Sequence, residues 1–250
     1  MKYTLSLLAL LCGMCLTAAD FSADVTPFTR MRVSFSASGN PQWQIRLTDP
    51  TGNIPMGGLL SASGENYLSP EGAGRFVQEF YVPDGVCRVT LRTDSAVNDV
   101  VFTPAPASDY VNINPEFKLG AGNVSGYRRM TRAAIRKDEA GNLFLEVQPS
   151  RYAMVLTDPI PVKPGTKYHV TLRRYGPGVK NINIILRFLD RYGLYCLNES
   201  NYWQHGFTFY SNWKNTFPAS KTFVAPENAV TLECLVGEGN FAGIYIKEVK

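Results

Sequence analysis

Two stretches of this sequence recur at a spacing of about 140 residues, a period typical of repeated structural units, and this constrains the fold more than any other feature. Residues 45–52, IRLTDPTG, match residues 186–193, LRFLDRYG, at an offset of 141, in apolar alternation and in an Asp-x-x-Gly turn. Residues 80–84, FYVPD, match residues 223–227, FVAPE, at an offset of 143. The repeat predicts that one unit occurs twice in the chain.

The matched stretches alternate between apolar and polar residues. Residues 32–35, RVSF, resemble residues 169–172, HVTL, at an offset of 137. Such alternation is typical of strands with one buried face. Closing strands are expected at 99–103 and 244–249, and no stretch sustains helical spacing. The fold class is therefore predicted to be all-β, with two β-sandwich domains in tandem.

Chain length separates the two predicted domains. The first, 20–103, has the size of a small β-sandwich. Residues 104–109, PAPASD, are predicted to form a stiff linker, because proline restricts itself and its predecessor to extended conformations. The second domain, 110–250, is long enough for a complete jelly roll and has extra strands predicted in front, at 143–147 and 153–157.

The first residues of the chain predict export. Residues 1–19, MKYTLSLLALLCGMCLTAA, combine one lysine, an apolar run and closing small residues, as a secretory signal peptide does. Cys12 and Cys15 lack the small-residue box that lipid attachment needs. No later stretch approaches the ~18 apolar residues that span a bilayer. We therefore expect a secreted, periplasmic or cell-surface protein without membrane insertion.

The charge of the chain is small. The formal net charge is +4, and removal of the one lysine in residues 1–19 lowers it to +3. So small a charge predicts no nucleic-acid partner. The densest basic run, 128–137, is interpreted as a solvated loop or face.

Three cysteines follow the predicted signal peptide, Cys87, Cys196 and Cys234. An odd number cannot all pair within one chain, so no disulfide framework is predicted. Cys87 aligns with Val230, and Cys234 with Leu91. Each cysteine thus stands where the other copy has a valine or a leucine. Because a buried cysteine packs as a small hydrophobic side chain does, both are predicted to be core residues. Cys196 has no such counterpart, and its pairing stays open.

One segment of the second copy is rich in aromatic residues. Nine lie within the 26 residues 192–217, where the chain-wide 12% gives about three, and the equivalent stretch 51–76 of the first copy holds two. The strand pattern occurs in both copies, but the aromatic residues are concentrated in the second. The core of the second copy therefore does not need all nine aromatic rings. Phe207 and Phe209 alternate with their neighbours as in a half-buried strand, and these two are assigned to the core.

Exposed tryptophan and tyrosine rings suit sugars, because axial C–H bonds stack on a ring while polar side chains reach the hydroxyls. The aromatic segment interleaves such rings with amide side chains. The predicted function is therefore non-catalytic binding of a polysaccharide or oligosaccharide. The predicted ligand-binding residues are Trp203, Trp213, Tyr202, Tyr195, Tyr210, Asn201 and Gln204.

Two other interpretations stay open. Exposed rings also anchor protein interfaces, so the chain could be a structural or adhesive surface protein with a protein partner. A hydrolase is the third interpretation, but His169 and His205 have no metal-ligand spacing. Ser211 and Lys214 satisfy a Ser-x-x-Lys pattern without its companion motifs, and Asp190 is explained as a turn residue. No catalytic residue is predicted.

Several scaffold motifs of the second domain resemble a known family. Residues 162–168, VKPGTKY, the strand and turn at 186–193, the run 223–226, FVAP, and the strand 244–249 are similar to the jelly-roll carbohydrate-binding modules of families four and nine, in the galactose-binding-like superfamily. The resemblance implies a β-sandwich that binds glycan as a free-standing protein, since the catalytic domain that usually accompanies such modules has no counterpart in this sequence. The family often carries a structural calcium, but no calcium or sugar ligand is carried over by residue, and no other cofactor is expected.

Overall fold

The structure is a computed structural model that describes residues 19–38, 41–55, 58–61, 74–119, 125–149, 154–176, 181–196, 206–210 and 219–249. Across these ranges the chain forms eighteen strands and no helix. The prediction of an all-β fold is confirmed. With no helix in the described ranges, none there is long and apolar enough to cross a membrane.

The N-terminal part contains seven strands: β1 (Ala19–Asp24), β2 (Arg30–Ala37), β3 (Trp43–Thr48), β4 (Leu59–Ser61), β5 (Gly74–Tyr81), β6 (Arg88–Thr93) and β7 (Val97–Pro104). They pair antiparallel into one sheet of order β1-β6-β3-β4 and another of order β5-β2-β7. Apolar side chains from both sheets, including Phe35, Ile45 and Phe80, are buried in one core. The alternation of apolar residues along the strands is what gives each sheet its core face.

The C-terminal part contains eleven described strands: β8 (Tyr127–Thr131), β9 (Ala133–Lys137), β10 (Leu143–Val147), β11 (Met154–Thr157), β12 (Ile160–Pro161), β13 (Lys167–Arg174), β14 (Asn181–Leu189), β15 (Gly206–Tyr210), β16 (Ala219–Val224), β17 (Thr231–Val236) and β18 (Gly239–Val249). One sheet has the order β16-β13-β18-β10-β9. The other has the order β15-β14-β17-β11-β8, with β12 also on β17. Residues from both sheets, such as Leu172 and Leu186, bury a second core between them.

The pairing order of the N-terminal sheets recurs in the C-terminal part. β2 lies between β5 and β7 as β13 lies between β16 and β18, and β6-β3-β4 recurs as β17-β14-β15. Individual hydrogen bonds recur too. The Val82 amide donates to the Thr29 carbonyl and the Ala225 amide donates to the Thr166 carbonyl, both at 2.9 Å. These pairs stand at the offsets 137 and 143 seen in the sequence. The boundaries 20–103, 104–109 and 110–250 stay predictions.

The two Asp-x-x-Gly turns of the repeat have the same construction. In each, the glycine amide donates to the aspartate carbonyl at 3.0 Å, from Gly52 to Asp49 and from Gly193 to Asp190. The glycines have φ of 86° and 80°, in the left-handed region that a side chain disfavours. Each aspartate carboxylate also accepts hydrogen bonds from backbone amides of its own turn. Asp190 therefore has a structural role, as its match with Asp49 predicts.

Of the two extra strands that were expected, one is confirmed and one needs correction. The strand predicted at 143–147 is β10, an addition without a counterpart among the described N-terminal strands. The stretch 153–157 is not an addition, because β11 lies beside β17 as β1 lies beside β6. The basic run 128–137 is not a loop: it forms β8 and β9, at the edges of the two C-terminal sheets. Arg136 and Lys137 are exposed there, which agrees with a solvated face.

The three described cysteines are free thiols. Cys234 is fully buried, and burial raises the pKa of its thiol to about 12, as expected of a core residue. The core prediction for Cys87 is wrong: this residue is half-buried, and its thiol faces the Thr48 carbonyl at 3.8 Å. Its counterpart Val230 is not buried either, with 36% of its surface exposed. Neither residue is buried because each lies just before the first residue of a strand, Cys87 before β6 and Val230 before β17.

Contacts between the two parts lie along the edge strand β5. The Glu79 amide donates to the Ser125 hydroxyl at 2.9 Å, and the Tyr81 hydroxyl donates to the Val111 carbonyl at 2.6 Å. Within the predicted linker, Pro104 is the last residue of β7, and the Ala105 amide still bonds β2. The C-terminal part therefore covers one edge of the β5-β2-β7 sheet.

Candidate functional site

Most of the predicted ligand-binding residues lie outside the described residues. Tyr195 is described in full, and of Tyr210 the structure gives the backbone, as the last residue of β15. The outside group comprises Trp203, Trp213, Tyr202, Asn201 and Gln204. The site is therefore built here from the described residues on either side of them.

The described end of the aromatic segment is an exposed rim formed by Tyr192, Leu194 and Tyr195. Their exposed fractions are 69%, 65% and 53%. The rim follows the Asp190 turn, whose carboxylate accepts from the Tyr192 amide at 2.8 Å and from the Leu194 amide at 2.9 Å. The turn thus fixes the backbone of the rim while leaving its side chains in solvent.

Two arginines lie against the rings of this rim. The Arg191 guanidinium is 4.8 Å from the centre of the Tyr192 ring, and the Arg187 guanidinium is 5.6 Å from the centre of the Tyr195 ring. Contacts at these distances are cation–π interactions, which restrict the motion of an exposed ring. Each tyrosine is therefore accompanied by a cluster of hydrogen-bond donors.

Described stretches on both sides of residues 197–205 pair with β14. After the turn, Tyr195 forms a bridge to Leu189, and the Cys196 amide donates to the Phe188 carbonyl at 2.9 Å. Further along the chain, Gly206 faces Ile185. Residues 197–205, which carry Trp203 and three other predicted ligand residues, lie between these two stretches in the sequence.

Cys196 anchors the start of that segment. It is buried at 5% exposure in the C-terminal core. Burial, and secondly the nearby Asp190 carboxylate, raise the pKa of its thiol. A buried thiol with a raised pKa is a packing residue and not a nucleophile.

A second group of rings, which sequence reasoning missed, lies on the outer face of the sheet that contains β10, β13 and β18. Phe144 stacks on Tyr175 with ring centres 4.0 Å apart and planes at 5°, and Tyr110 contacts Tyr245 at 5.0 Å. Outward alternation of β10 could have placed Phe144 on this face. These rings are at most half-exposed and packed on one another, so they offer less free surface than the rim.

Tyr175 also connects this face to the β9–β10 turn. Its hydroxyl donates to the Asp138 carboxylate at 2.6 Å. This hydrogen bond, followed by those from Asn142, lowers the pKa of Asp138 to about 2. The Asp138 carboxylate is therefore engaged in hydrogen bonds with Asn142 and Tyr175.

A small cavity lies between the two parts of the chain. Its volume of about 30 Å³ suffices for about one water molecule, so it is far too small for a sugar ring. The lining residues are Leu60, Tyr81, Pro83, Asp158, Pro159, Pro161 and Thr231.

The described residues give no catalytic or metal arrangement. No group of three or more His, Cys, Asp or Glu among them is placed to hold a metal ion. His169 lies on the outer face of β13 with its Nδ1 2.9 Å from the Thr222 hydroxyl, which agrees with its predicted place on the polar side of a strand. His205, Ser211 and Lys214 lie outside the described residues.

Comparisons with known proteins find remote likenesses. No family model matches the sequence, and no curated protein matches it. The tandem CBM22 domain of Xyn10C from Paenibacillus barcinonensis matches at a TM-score of 0.36 and 12% identity, over 91% of this chain and 82% of that chain. Isomalto-dextranase of Arthrobacter globiformis in complex with panose matches at 0.38 and 13%, over 92% of this chain and 35% of that chain. A carbohydrate-binding module of the β-sandwich superfamily matches at 0.26 and 13%, over 94% and 98%. With TM-scores this low, these likenesses carry no argument about the ligand.

Proposed function

We propose that this chain is an exported, non-catalytic glycan-binding protein whose ligand lies against the aromatic segment 192–217. The observation that carries the proposal is the exposed rim, where Tyr192 and Tyr195 keep more than half of their surfaces in solvent. The rim includes Tyr195, which forms a bridge to Leu189 at the end of β14, and the rest of the aromatic segment follows it in the sequence. Rings that contribute nothing to the core are free to stack on a ligand.

The rim has the chemistry that a sugar needs. A tyrosine face provides an apolar surface for axial C–H bonds, and the guanidinium groups of Arg187 and Arg191 provide donors for hydroxyl oxygens. The cation–π contacts hold the rings before a ligand arrives, which reduces the conformational entropy lost on binding. A neutral or acidic glycan fits this arrangement better than a basic one, because the two guanidinium groups beside the rings are positive, while the Asp190 carboxylate is engaged by the backbone amides of its own turn.

The remaining predicted residues complete the proposed site. Trp203, Trp213 and Tyr202 would extend the stacking surface from the rim, with Tyr210 at the end of β15. Asn201 and Gln204 would supply hydrogen bonds to sugar hydroxyls. Export rests on the predicted signal peptide. Cleavage after Ala19, the first residue of β1, would leave a chain that starts at Asp20, which faces Arg92 on β6.

The test is binding of the mature chain to a glycan array, followed by calorimetry with the best ligand. We expect Tyr195→Ala, Trp203→Ala and Trp213→Ala each to weaken binding about 10-fold or more, equivalent to about 1.4 kcal/mol. Their melting temperatures should stay close to that of the parent. Phe28→Ala is the matched control, because Phe28 is a 59%-exposed ring in the N-terminal part, and it should bind normally. Variants that unfold at lower temperature yet bind normally would show that the rings serve packing.

One observation favours the second candidate, a surface protein with a protein partner. Leu194 is 65% exposed between the two tyrosines, and tyrosine and arginine side chains around an exposed apolar residue are typical of protein interfaces. An array without any bound glycan, together with capture of a purified protein partner that Leu194→Ala abolishes, would replace the glycan proposal with this one.

A further inference from the structure

The outer edge of β7 differs from the corresponding edge of the C-terminal part. In the described residues β7 pairs with β2 alone, at the end of the order β5-β2-β7. The opposite end of that sheet, β5, is covered by Ser125 and Val111 of the C-terminal part. An edge strand presents unpaired backbone donors and acceptors, which pair readily with another strand.

The corresponding strand of the C-terminal part, β18, has an outer edge that is hydrogen-bonded within the chain. Its outer edge pairs with β10 and with the segment 111–115: the Val111 amide donates to the Ile246 carbonyl at 2.8 Å, and the Ile244 amide donates to the Pro115 carbonyl at 3.0 Å. The Asn112 side chain adds two bonds, accepting from the Ile246 amide and donating to the Ile244 carbonyl. The outer edge of β18 is therefore paired within the chain at Gly239–Phe241 and at Ile244–Ile246.

The exposed fractions of equivalent side chains differ between β7 and β18. Val101 faces Ser34 on β2 as Tyr245 faces Thr171 on β13. Tyr245 is 9% exposed, whereas Val101 is 46% exposed. The neighbours of Tyr245, Ile244 and Ile246, are fully buried, whereas the equivalent residues of β7, Val100 and Phe102, are only partly buried against the core. Apolar surface and backbone are thus both incompletely covered at β7.

We propose that β7 pairs antiparallel with β7 of a second copy of this chain, so that two β5-β2-β7 sheets join into one six-stranded sheet. A two-fold axis at Val101 places Val100 opposite Phe102 of the partner copy and Asp99 opposite Thr103 of the partner copy. The bulge at Asp99, where φ is 54°, and Pro104 bound the paired stretch. Asp99 is the one charged residue of β7, and this register keeps the two carboxylates apart.

The sequence of β7 fits a second copy because it is self-complementary. The paired stretch, Val100 to Thr103, is uncharged and rich in residues with high β propensity. It contains no lysine of the kind that protects edge strands from pairing. Burying Val101 against its own symmetry mate removes the most exposed apolar residue of the strand from water. A stretch of four residues gives a weak dimer, with dissociation in the micromolar to millimolar range.

The first test is sedimentation equilibrium of the mature chain over a concentration series up to about 1 mM. We expect the mass to double with rising concentration. Val101→Lys should keep it monomeric throughout, because two lysines would face each other on the axis. The matched control is Val224→Lys, an exposed valine of the edge strand β16, and it should still dimerise. A parent chain that stays monomeric, or a Val101→Lys variant that dimerises like the parent, would overturn the proposal.

Cysteine cross-linking tests the register directly. In a Cys87→Ser background, Val101→Cys should form an intermolecular disulfide, since residues paired on the axis lie about 5 Å apart at Cα. Thr103→Cys lies on the same face of β7, but its two copies would be about 14 Å apart, too far for a disulfide. Cross-linking at Thr103 but not at Val101 would refute this register. Neither variant changes a residue of the aromatic segment. If glycan binding fails, the dimer proposal can therefore still hold, and if dimerisation fails, the glycan-binding proposal can still hold.

Discussion

Equivalent pairs of residues on the two central sheets have very different surroundings. Arg32 on β2 faces Glu79 on β5, and at the same positions His169 on β13 faces Thr222 on β16. Glu79 is 1% exposed and pairs with both Arg30 and Arg32, while His169 and Thr222 share one exposed hydrogen bond.

The difference follows from what covers each outer face. The C-terminal part meets β5 at Glu79, whose amide bonds the Ser125 hydroxyl. No described segment is bonded to the corresponding edge of β16, which is an end strand of its sheet. A carboxylate removed from water needs charged partners, whereas an exposed position accepts neutral side chains. One scaffold thus supports a buried ion cluster or a solvated polar pair.

The largest expected effect comes from removing Glu79. Glu79→Ala would leave the partly buried guanidinium groups of Arg30 and Arg32 without their shared carboxylate, and we expect a loss of about 3 kcal/mol in the free energy of unfolding, the lower end of the cost of breaking a buried ion pair. The equivalent variant Thr222→Ala should cost about 0.5 kcal/mol or less, because the site is exposed. Urea denaturation of both variants measures the contrast. Equal losses would mean that the cluster at Glu79 is not buried as described.

The next effect concerns the turn glycines. Gly52→Ala and Gly193→Ala each force a side chain into the left-handed region, and each should lower the free energy of unfolding by about 1–2 kcal/mol. A Cβ at Gly52 meets no atom within 4 Å, so its cost is that of the backbone alone. Thermal denaturation should give similar losses for both. A loss at one turn but not the other would contradict their shared construction.

A smaller effect is expected where the two parts differ at a single turn position. Phe28 has φ of 60° and its amide donates to the Val82 carbonyl, while Gly165 has φ of 70° and donates to the Ala225 carbonyl. Phe28→Gly should raise the free energy of unfolding by up to about 1 kcal/mol, and Gly165→Ala should lower it by about 1 kcal/mol. Melting temperatures will show opposite signs if the positions are equivalent.

The smallest effect is on pH dependence. Asp49 and Asp138 accept similar turn hydrogen bonds, but Asp138 also accepts from Tyr175, and its pKa falls to about 2. A lowered pKa stabilises the fold above the ordinary value of 3.8, and this stabilisation is lost as the pH falls from 3.8 towards 2. Tyr175→Phe should raise the pKa of Asp138 towards 3.8 and leave that of Asp49 unchanged. Carboxyl-carbon NMR titration measures both, and an unchanged Asp138 would exclude the tyrosine as the main cause.

The sequence predicted the features that local patterns determine. Alternation and the paired Asp-x-x-Gly turns gave the strands and the equivalence of Asp49 with Asp190. The buried state of Glu79 was not predictable, because it depends on Ser125, 46 residues away. The basic run 128–137 was interpreted as a solvated loop or face from its charge alone. Edge strands also carry basic side chains on their solvent face, so the charge did not distinguish a loop from the edge strands β8 and β9. At the candidate site, the exposure of Tyr195 agrees with expectation. Tyr192 belongs to the aromatic segment but was not among the predicted ligand residues. Arg187 and Arg191 were missed because no local pattern shows that their guanidinium groups lie against rings.

The sheet edge beside β14 has an evolutionary consequence. In the N-terminal part β4 pairs with β3 directly after its turn, whereas in the C-terminal part residues 197–205 stand between two stretches that both bond β14. Because the backbone is tethered on each side of the insertion, its length and composition can change without disturbing the sheet. A different nine-residue cassette grafted between these two tethers would therefore change the chain there while the described sheet stays unaltered.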